Sequence, residues 1–235
     1  MANNGCFRTP FPKRASGAGG TEPGTKPRQV YSVYVDVVYA VYMVKAPTSD
    51  RIAAAAGRLL DRAGAEAVTM RRVARAVGIT PMALYRHFAN REGLLNALAD
   101  AGFAQLATRL GAAAQSGSAE RRLAANLDIF LDFGLEKPRL FELMFLHRRE
   151  GARQFPVDFR EGRSPTARFS AEALEAGMKE GIFRKDDVWE IAFESGALLQ
   201  GLVMLYVGGR VDMPEDEFRA LCHRAFRRYF YGIRK

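Results

Sequence analysis

From residue 49 onward, apolar positions recur every three or four residues, the period of helices that turn one face inward. Ile52, Ala55, Ala56, Leu59, Leu60 and Ala63 form the first stripe, with Ser49 or Asp50 as its expected cap and Gly64 as its stop. Thr69 is placed to cap a short second helix that buries Val73, Ala74 and Val77 and ends at Gly78. Thr80 caps a third, with Pro81 at its first position, where a missing N–H costs nothing, and Leu84 and Phe88 on its inner face. Asn90 caps a fourth carrying Leu94, Leu95, Leu98, Phe103 and Leu106. The pattern breaks over the small, polar Gly111–Ser118 and resumes with Leu123, Leu127, Phe130, Leu131 and Gly134. Pro138 opens a helix bearing Leu140, Phe141, Met144 and Phe145; residues 151–165 read as a loop; Phe169, Ala173, Leu174 and Met178 lie on a helix ending at Gly181. Val188–Val207 is apolar nearly all round, which predicts burial on more than one side. Phe218, Leu221, Cys222, Ala225, Phe226, Tyr229 and Phe230 complete a last sharp stripe, opposed by Arg219, Arg224, Arg227 and Arg228.

The chain before residue 47 does not share this pattern. Residues 1–29, rich in Gly, Pro, Thr and basic side chains, are expected to be disordered. Val30–Val44 is a run of Val and Tyr broken by Asp36, too short for a membrane span and too late for a signal peptide. Three readings stay open for 1–46: a disordered extension, sequence ahead of a true start at Met43, or a membrane tether at Val30–Val44. Gly19–Lys26 lacks the Gly-Lys-Ser/Thr order of a phosphate-binding loop. The expectation is thus an all-α protein: a helix-turn-helix domain over 47–95 and a second helical domain over 96–235.

Charge sharpens the picture. The net charge is +9, and it is unevenly spread. Residues 43–112 carry ten Lys/Arg against five Asp/Glu, whereas 113–235 carry twenty against nineteen. A basic head on a near-neutral body suits a polyanionic partner for the head. Cys6 and Cys222 form no paired or metal-like spacing, so a reducing cytoplasm is expected. His87, His147 and His223 form no metal-spaced cluster, and no nucleophile elbow or dinucleotide loop is present. No catalytic residue, metal or cofactor is expected.

Two short helices joined through a glycine turn within about twenty residues make a helix-turn-helix, whose second helix enters the DNA major groove. Pro81, Met82, Ala83 and Arg86 are then free to approach bases, flanked by Tyr85 and His87, while Arg71 reaches a base edge or a phosphate. Thr69, Thr80 and Arg91 stand at helix starts, where N–H groups favour a phosphate. For Arg86, base and phosphate remain equal alternatives; Arg72 and Arg75 fit a solvated face or phosphate contacts.

Residues 51–106 resemble the N-terminal domain of the tetracycline-repressor (TetR) family. The resemblance rests on Ala67–Leu95, above all on Leu84-Tyr85-Arg86-His87-Phe88 followed by Asn90-Arg91-Glu92. It implies backbone contacts from Tyr85, His87 and Arg91, and base reading from Pro81, Met82, Ala83 and Arg71. It also implies a homodimer on a palindromic double-stranded DNA operator, an unknown small-molecule effector and no membrane. Its two C-terminal helices imply a dimer interface, for which Leu198, Leu202, Leu205, Phe218, Leu221, Phe226 and Tyr229 are the candidates, with plain intramolecular core as the alternative. An apolar effector cavity is expected among Phe130, Phe133, Phe141, Met144, Phe145, Met178, Trp189, Phe193 and Met204, each equally readable as core. The function expected is a repressor released from DNA by an apolar ligand. A ligand-dependent activator of the same fold and a sequence-indifferent DNA-binding protein remain alternatives.

Overall fold

The computed structural model describes residues 47–113 and 116–235, so the expectations for 1–46 fall outside the described residues. The described chain is all-α: α1 Thr48–Ala63, a 3₁₀ turn Ala65–Ala67, α2 Met70–Val77, α3 Pro81–Tyr85, α4 Arg91–Ala113, α5 Ala119–Glu136, α6 Pro138–Phe145, α7 Val157–Arg160, α8 Ala167–Lys179, α9 Val188–Val207 and α10 Glu215–Gly232. A single antiparallel bridge joins Phe183 to Arg234.

Several helix starts follow from side chains that satisfy the orphan N–H groups of a first turn. Thr69 Oγ1 accepts from the amide of Arg72 at 3.3 Å, Thr80 Oγ1 from Ala83 at 3.2 Å, and Asn90 Oδ1 from Gly93 at 2.7 Å. Gly78 takes the left-handed conformation, φ +77°, that ends α2. At α9, burial works against the charge of Asp187. The amides of Glu190 and Trp189 and the guanidinium of Arg160 nevertheless hold its carboxyl below the ordinary range. The first helix departs from expectation. It begins at Thr48 after Pro47 with no side-chain cap, and Ser49 and Asp50 lie inside its first turn, where Asp50 favours the helix dipole. Residues 151–165 are not all loop, since α7 interrupts them.

One apolar cluster runs through the head and into the body. Ile52, Ala56 and Leu60 of α1 meet Val73 of α2, Leu84 of α3 and Leu94 and Leu95 of α4. The same cluster continues through Leu106 and Leu110 to Leu127, Leu131, Phe141, Val203, Phe218 and Cys222. The expected boundary at residue 95 therefore falls inside α4, a helix of 23 residues, about 34 Å long at 1.5 Å per residue. A second cluster packs Leu123, Leu174, Phe183 and Ile191 at the far end. Cys222 is fully buried, and burial pushes its thiol up to about 11.

Close helix approaches rest on glycine. A Cβ on Gly134 of α5 would lie 2.7 Å from Cγ1 of Val203 on α9, and one on Gly102 of α4 only 2.5 Å from the sulfur of Met144 on α6. Gly134→Ala is therefore expected to cost about 1–3 kcal/mol by overpacking. Gly57→Ala, in α1 with nothing within 4 Å, is expected to be neutral or to gain up to about 1 kcal/mol. Thermal melts of the two variants check the contrast.

Candidate nucleic-acid interface and interior cavity

Between Ala67 and Asn90 stand four arginines and one histidine, with no Asp or Glu. Arg71, Arg72, Arg75 and Arg86 are all exposed, and among the described residues none of their side chains has an ion-pair or hydrogen-bond partner. Arginines of the body contrast with this. Arg109 pairs with Glu136 at 2.7 Å, Arg160 with Asp187 at 2.5 Å, and Arg219 with Asp132 at 2.7 Å and Glu215 at 2.9 Å. The head thus presents uncompensated cations while much of the body neutralises its own.

The local fold explains which side chains stand outward. Leu84 is fully buried and anchors α3, which leaves Pro81 and Met82 exposed, Met82 by 71%. Ala83 is half-buried beside them. Just past α3, His87 is exposed, and Tyr85 at its end is 47% exposed. Phe88 packs back against the core. Thr69 and Thr80 hold their hydroxyls against the N-terminal amides of α2 and α3. These residues and the four arginines share one segment with a large apolar side chain and an aromatic hydroxyl in solvent, an arrangement that a folded monomer alone has no use for.

Arg91 is placed differently from expectation. Its Nε donates to the Val68 carbonyl at 2.9 Å and one Nη to the Ala65 carbonyl at 2.8 Å, with Glu66 and Glu92 carboxylates at 3.3 and 2.9 Å. The guanidinium ties the start of α4 to the turn between α1 and α2. The side chain remains 28% exposed at the start of α4.

Inside the body lies a cavity of about 470 Å³, within the usual range for small-molecule sites. Of the expected lining residues, Phe130, Met144, Phe145 and Phe193 are there. Phe133, Phe141, Met178, Trp189 and Met204 are not. Phe133 is buried elsewhere under Arg109 and Lys137, whose cations sit 5.4 and 5.8 Å from its ring. Phe141 is wedged between Phe130 and Phe145, with ring centres at 5.2 and 4.6 Å. Met178 and Trp189 pack on the second cluster, and Met204 on the main core. The polar wall was not anticipated: Asn126, Ser164, Ser195, Gln200, His147 and Arg149 line the cavity. Asn126 leaves a trace in the sequence, an amide beside Leu127 in an otherwise apolar stripe.

The expected interface residues also divide. Phe218 and Phe226 are buried within the chain, Phe218 stacked on Tyr206 at 4.1 Å, so neither is available to a partner. Tyr229 is half-buried and donates to the Glu194 carboxylate at 2.6 Å; burial and that carboxylate push its phenol well above the ordinary range. Leu198, Leu202 and Leu221 are half-buried, and Leu205 is 44% exposed. α9 is also the one described helix long and apolar enough to cross a membrane. It packs on α5, α6, α8 and α10.

Removing the Arg91 side chain takes a charged donor from the Val68 carbonyl and from the Ala65 carbonyl, which keeps the amide of Val68. Arg91→Ala is expected to cost about 1–3 kcal/mol of stability. Tyr85→Ala and His87→Ala, at exposed positions, are expected to leave the stability within about 0.5 kcal/mol of the native value. Parallel melts in the absence of DNA separate the two classes.

Known proteins bear the same features. Residues 52–98 match the model of bacterial regulatory proteins of the tetR family, and residues 123–229 match that of the tetracyclin repressor-like C-terminal domain. No curated protein matches the chain. Among solved structures, a protein of unknown function from a Rhodococcus species is 26% identical, with 81% of this chain and 97% of that one covered at a TM-score of 0.68. A putative tetR family transcription regulator from a Shewanella species (16% identity, 81% and 100% covered, TM-score 0.62) shares the fold. So does the fatty acid degradation regulator FadR from Bacillus halodurans (18%, 79% and 99%, TM-score 0.61). With one model on the helix-turn-helix head and the other on the helical body, this chain belongs to the TetR family of bacterial regulatory proteins.

Proposed function

We propose that the chain is a dimeric cytoplasmic repressor that binds a palindromic operator and leaves it when a small molecule fills the interior cavity. The observation that carries the reading is the exposed, carboxylate-free segment from Thr69 to His87, with its unpartnered arginines on a helix-turn-helix. Met82 and Ala83 meet thymine methyls, Arg86 and Arg71 meet a guanine edge or a phosphate, and Tyr85 and His87 hold the backbone. Thr69, Thr80 and Pro81 set the approach of the two helices.

One head buries too little surface for specific binding, whereas two at a fixed spacing read half-sites one helical turn apart. The open face of α9, with Leu198, Leu202 and Leu205, together with Leu221 of α10, is the surface we assign to the second copy. Covering it also accounts for the apolarity of α9 without lipid. The walls of the cavity include Phe103 and Leu110 of α4 and Met144 and Phe145 of α6, and α1 packs on both helices. A ligand that prefers one setting of α4 and α6 over another therefore biases the spacing of the heads. That is all that regulation requires.

Titration against DNA from upstream of the gene, or against a site selected from random sequence, is expected to show a preference over scrambled DNA of about a thousandfold at near-physiological salt. The double variant Tyr85→Ala, His87→Ala is expected to lose that binding while melting as the native protein does. Equal binding to the selected and scrambled DNA would mean an architectural protein rather than a site-specific regulator.

Leu202→Glu combined with Leu205→Glu is expected to convert a dimer into a folded monomer by light scattering, with operator affinity reduced at least a hundredfold. A double variant that stays dimeric would move the interface elsewhere.

A further inference from the structure

The cavity is not uniformly apolar, and two of its buried polar side chains are not fully satisfied. Asn126, only 6% exposed, lines it from α5, and neither Oδ1 nor Nδ2 has a hydrogen-bond partner among the described residues. Arg149 lines it from the segment after α6. Its side chain is 4% exposed and its buried Nε is likewise unpartnered. A buried amide or guanidinium N–H left unmade is costly, so such groups persist where something outside the chain satisfies them.

The charges around Arg149 indicate which kind of group that is. Arg149 and Arg153 face the same carboxylate, Asp100 of α4, at 3.5 and 3.2 Å, and both guanidiniums sit over the Phe103 ring at 5.7 and 5.5 Å. His147 also lines this end, 3.8 Å from Glu92. Two guanidiniums on one carboxylate leave a positive charge over, and no Asp or Glu lines the cavity itself. Asp100 lies 3.5 Å from one Nη of Arg149, so the pair's guanidiniums are only partly neutralised at this end of the cavity. From there the wall turns aromatic through Phe103, Phe145 and Phe130, whose neighbouring ring centres lie 5.3 and 5.5 Å apart. Asn126 follows one helical turn before Phe130 on α5. Phe159 and Phe193, which also line the cavity, form an aromatic cluster with Phe155, stacked on Phe193 at 4.4 Å.

We infer that the effector is an apolar molecule ending in a carboxylate, its head group paired by Arg149 with Arg153 beside it, and its body lying along the aromatic wall with a hydrogen-bonding group opposite Asn126. This rests on reading the cavity as the effector site. The test reads binding to the protein directly, without DNA, so a failure of operator binding leaves it intact.

The probes are straight-chain carboxylates from octanoate to hexadecanoate, the alcohols of equal length, and the corresponding ω-hydroxy acids. Calorimetric titration of the full chain is expected to show at least one carboxylate bound tenfold or more tightly than its alcohol. That preference is expected to disappear in Arg149→Met and to return in part in Arg149→Lys. Asn126→Leu is expected to raise the melting temperature of the ligand-free protein, since it removes an unpaired buried amide, and to weaken ω-hydroxy acids while sparing plain ones. Equal affinity for acids and alcohols, binding of neither, or an acid preference that survives Arg149→Met overturns the assignment of the head group. An Asn126→Leu variant that melts lower, or binds hydroxy acids undiminished, overturns the assignment of Asn126.

Discussion

The structure depends on one helix belonging to two cores. Leu94 and Leu95, near the start of α4, are fully buried among the side chains of α1, α2 and α3, and Leu106 and Leu110 near its other end are buried in the body. Between them Gly102 lets α6 approach until the sulfur of Met144 occupies the space a Cβ would take. An α-helix is stiff along its axis and cores this dense do not deform smoothly. The position of α4 in the body therefore dictates the position of the head. Arg91 reinforces this at the head end by bonding two carbonyls of the 3₁₀ turn. A helix free at one end would let the head swing, whereas one fixed at both ends makes it a lever.

Electrostatics divides along the same line as mechanics. The head's four arginines at 71, 72, 75 and 86 are left without partners, which raises their mutual repulsion in a segment with no carboxylate. That cost is small at exposed positions in salt, because charges in water are screened beyond about 8–10 Å. It is offset when the phosphates of DNA supply the missing counter-charge and release their own counterions. The body has no such partner, and several of its arginines are closed into ion pairs with Asp and Glu of adjacent helices. Net charge alone understates the contrast, since what matters is the share of cations with nothing to bind.

How far the sequence foretold all this depends on the length of chain over which each feature is decided. Thr69, Thr80, Asn90, Gly78 and Pro81 act through contacts within four residues, and each stands where its chemistry placed it. Val188–Val207 was equally legible, because a long apolar run bounded by Asp187 and Gly208 admits few other readings. Side-chain destinations that depend on a third helix were not. Period 3.6 identifies the apolar stripe of α5 but not that Phe130 faces a void while Phe133 is sandwiched beneath Arg109 and Lys137. The stripe of α10 likewise serves the chain's own core at Phe218 and Phe226, a choice settled by α5 and α9 rather than by α10. Arg91 fits a phosphate contact by its place in the chain, but its bonds to two carbonyls more than twenty residues earlier were not legible there.

These separate facts bear on the size of the effect a ligand can exert. Coupling between two sites is typically about 1–3 kcal/mol, which shifts affinity some 5–150-fold. On the proposed reading, a ligand in the cavity touches α4 and α6, the helices on which α1 of the head packs. The cavity's wall is also where the chain is least well satisfied: Asn126 and the Nε of Arg149 are polar groups held without partners inside a well-packed body. On the proposed reading, a molecule that satisfies both groups favours the setting of the helices in which they are within its reach, and that differential affinity, rather than tight binding as such, would link the body to the head.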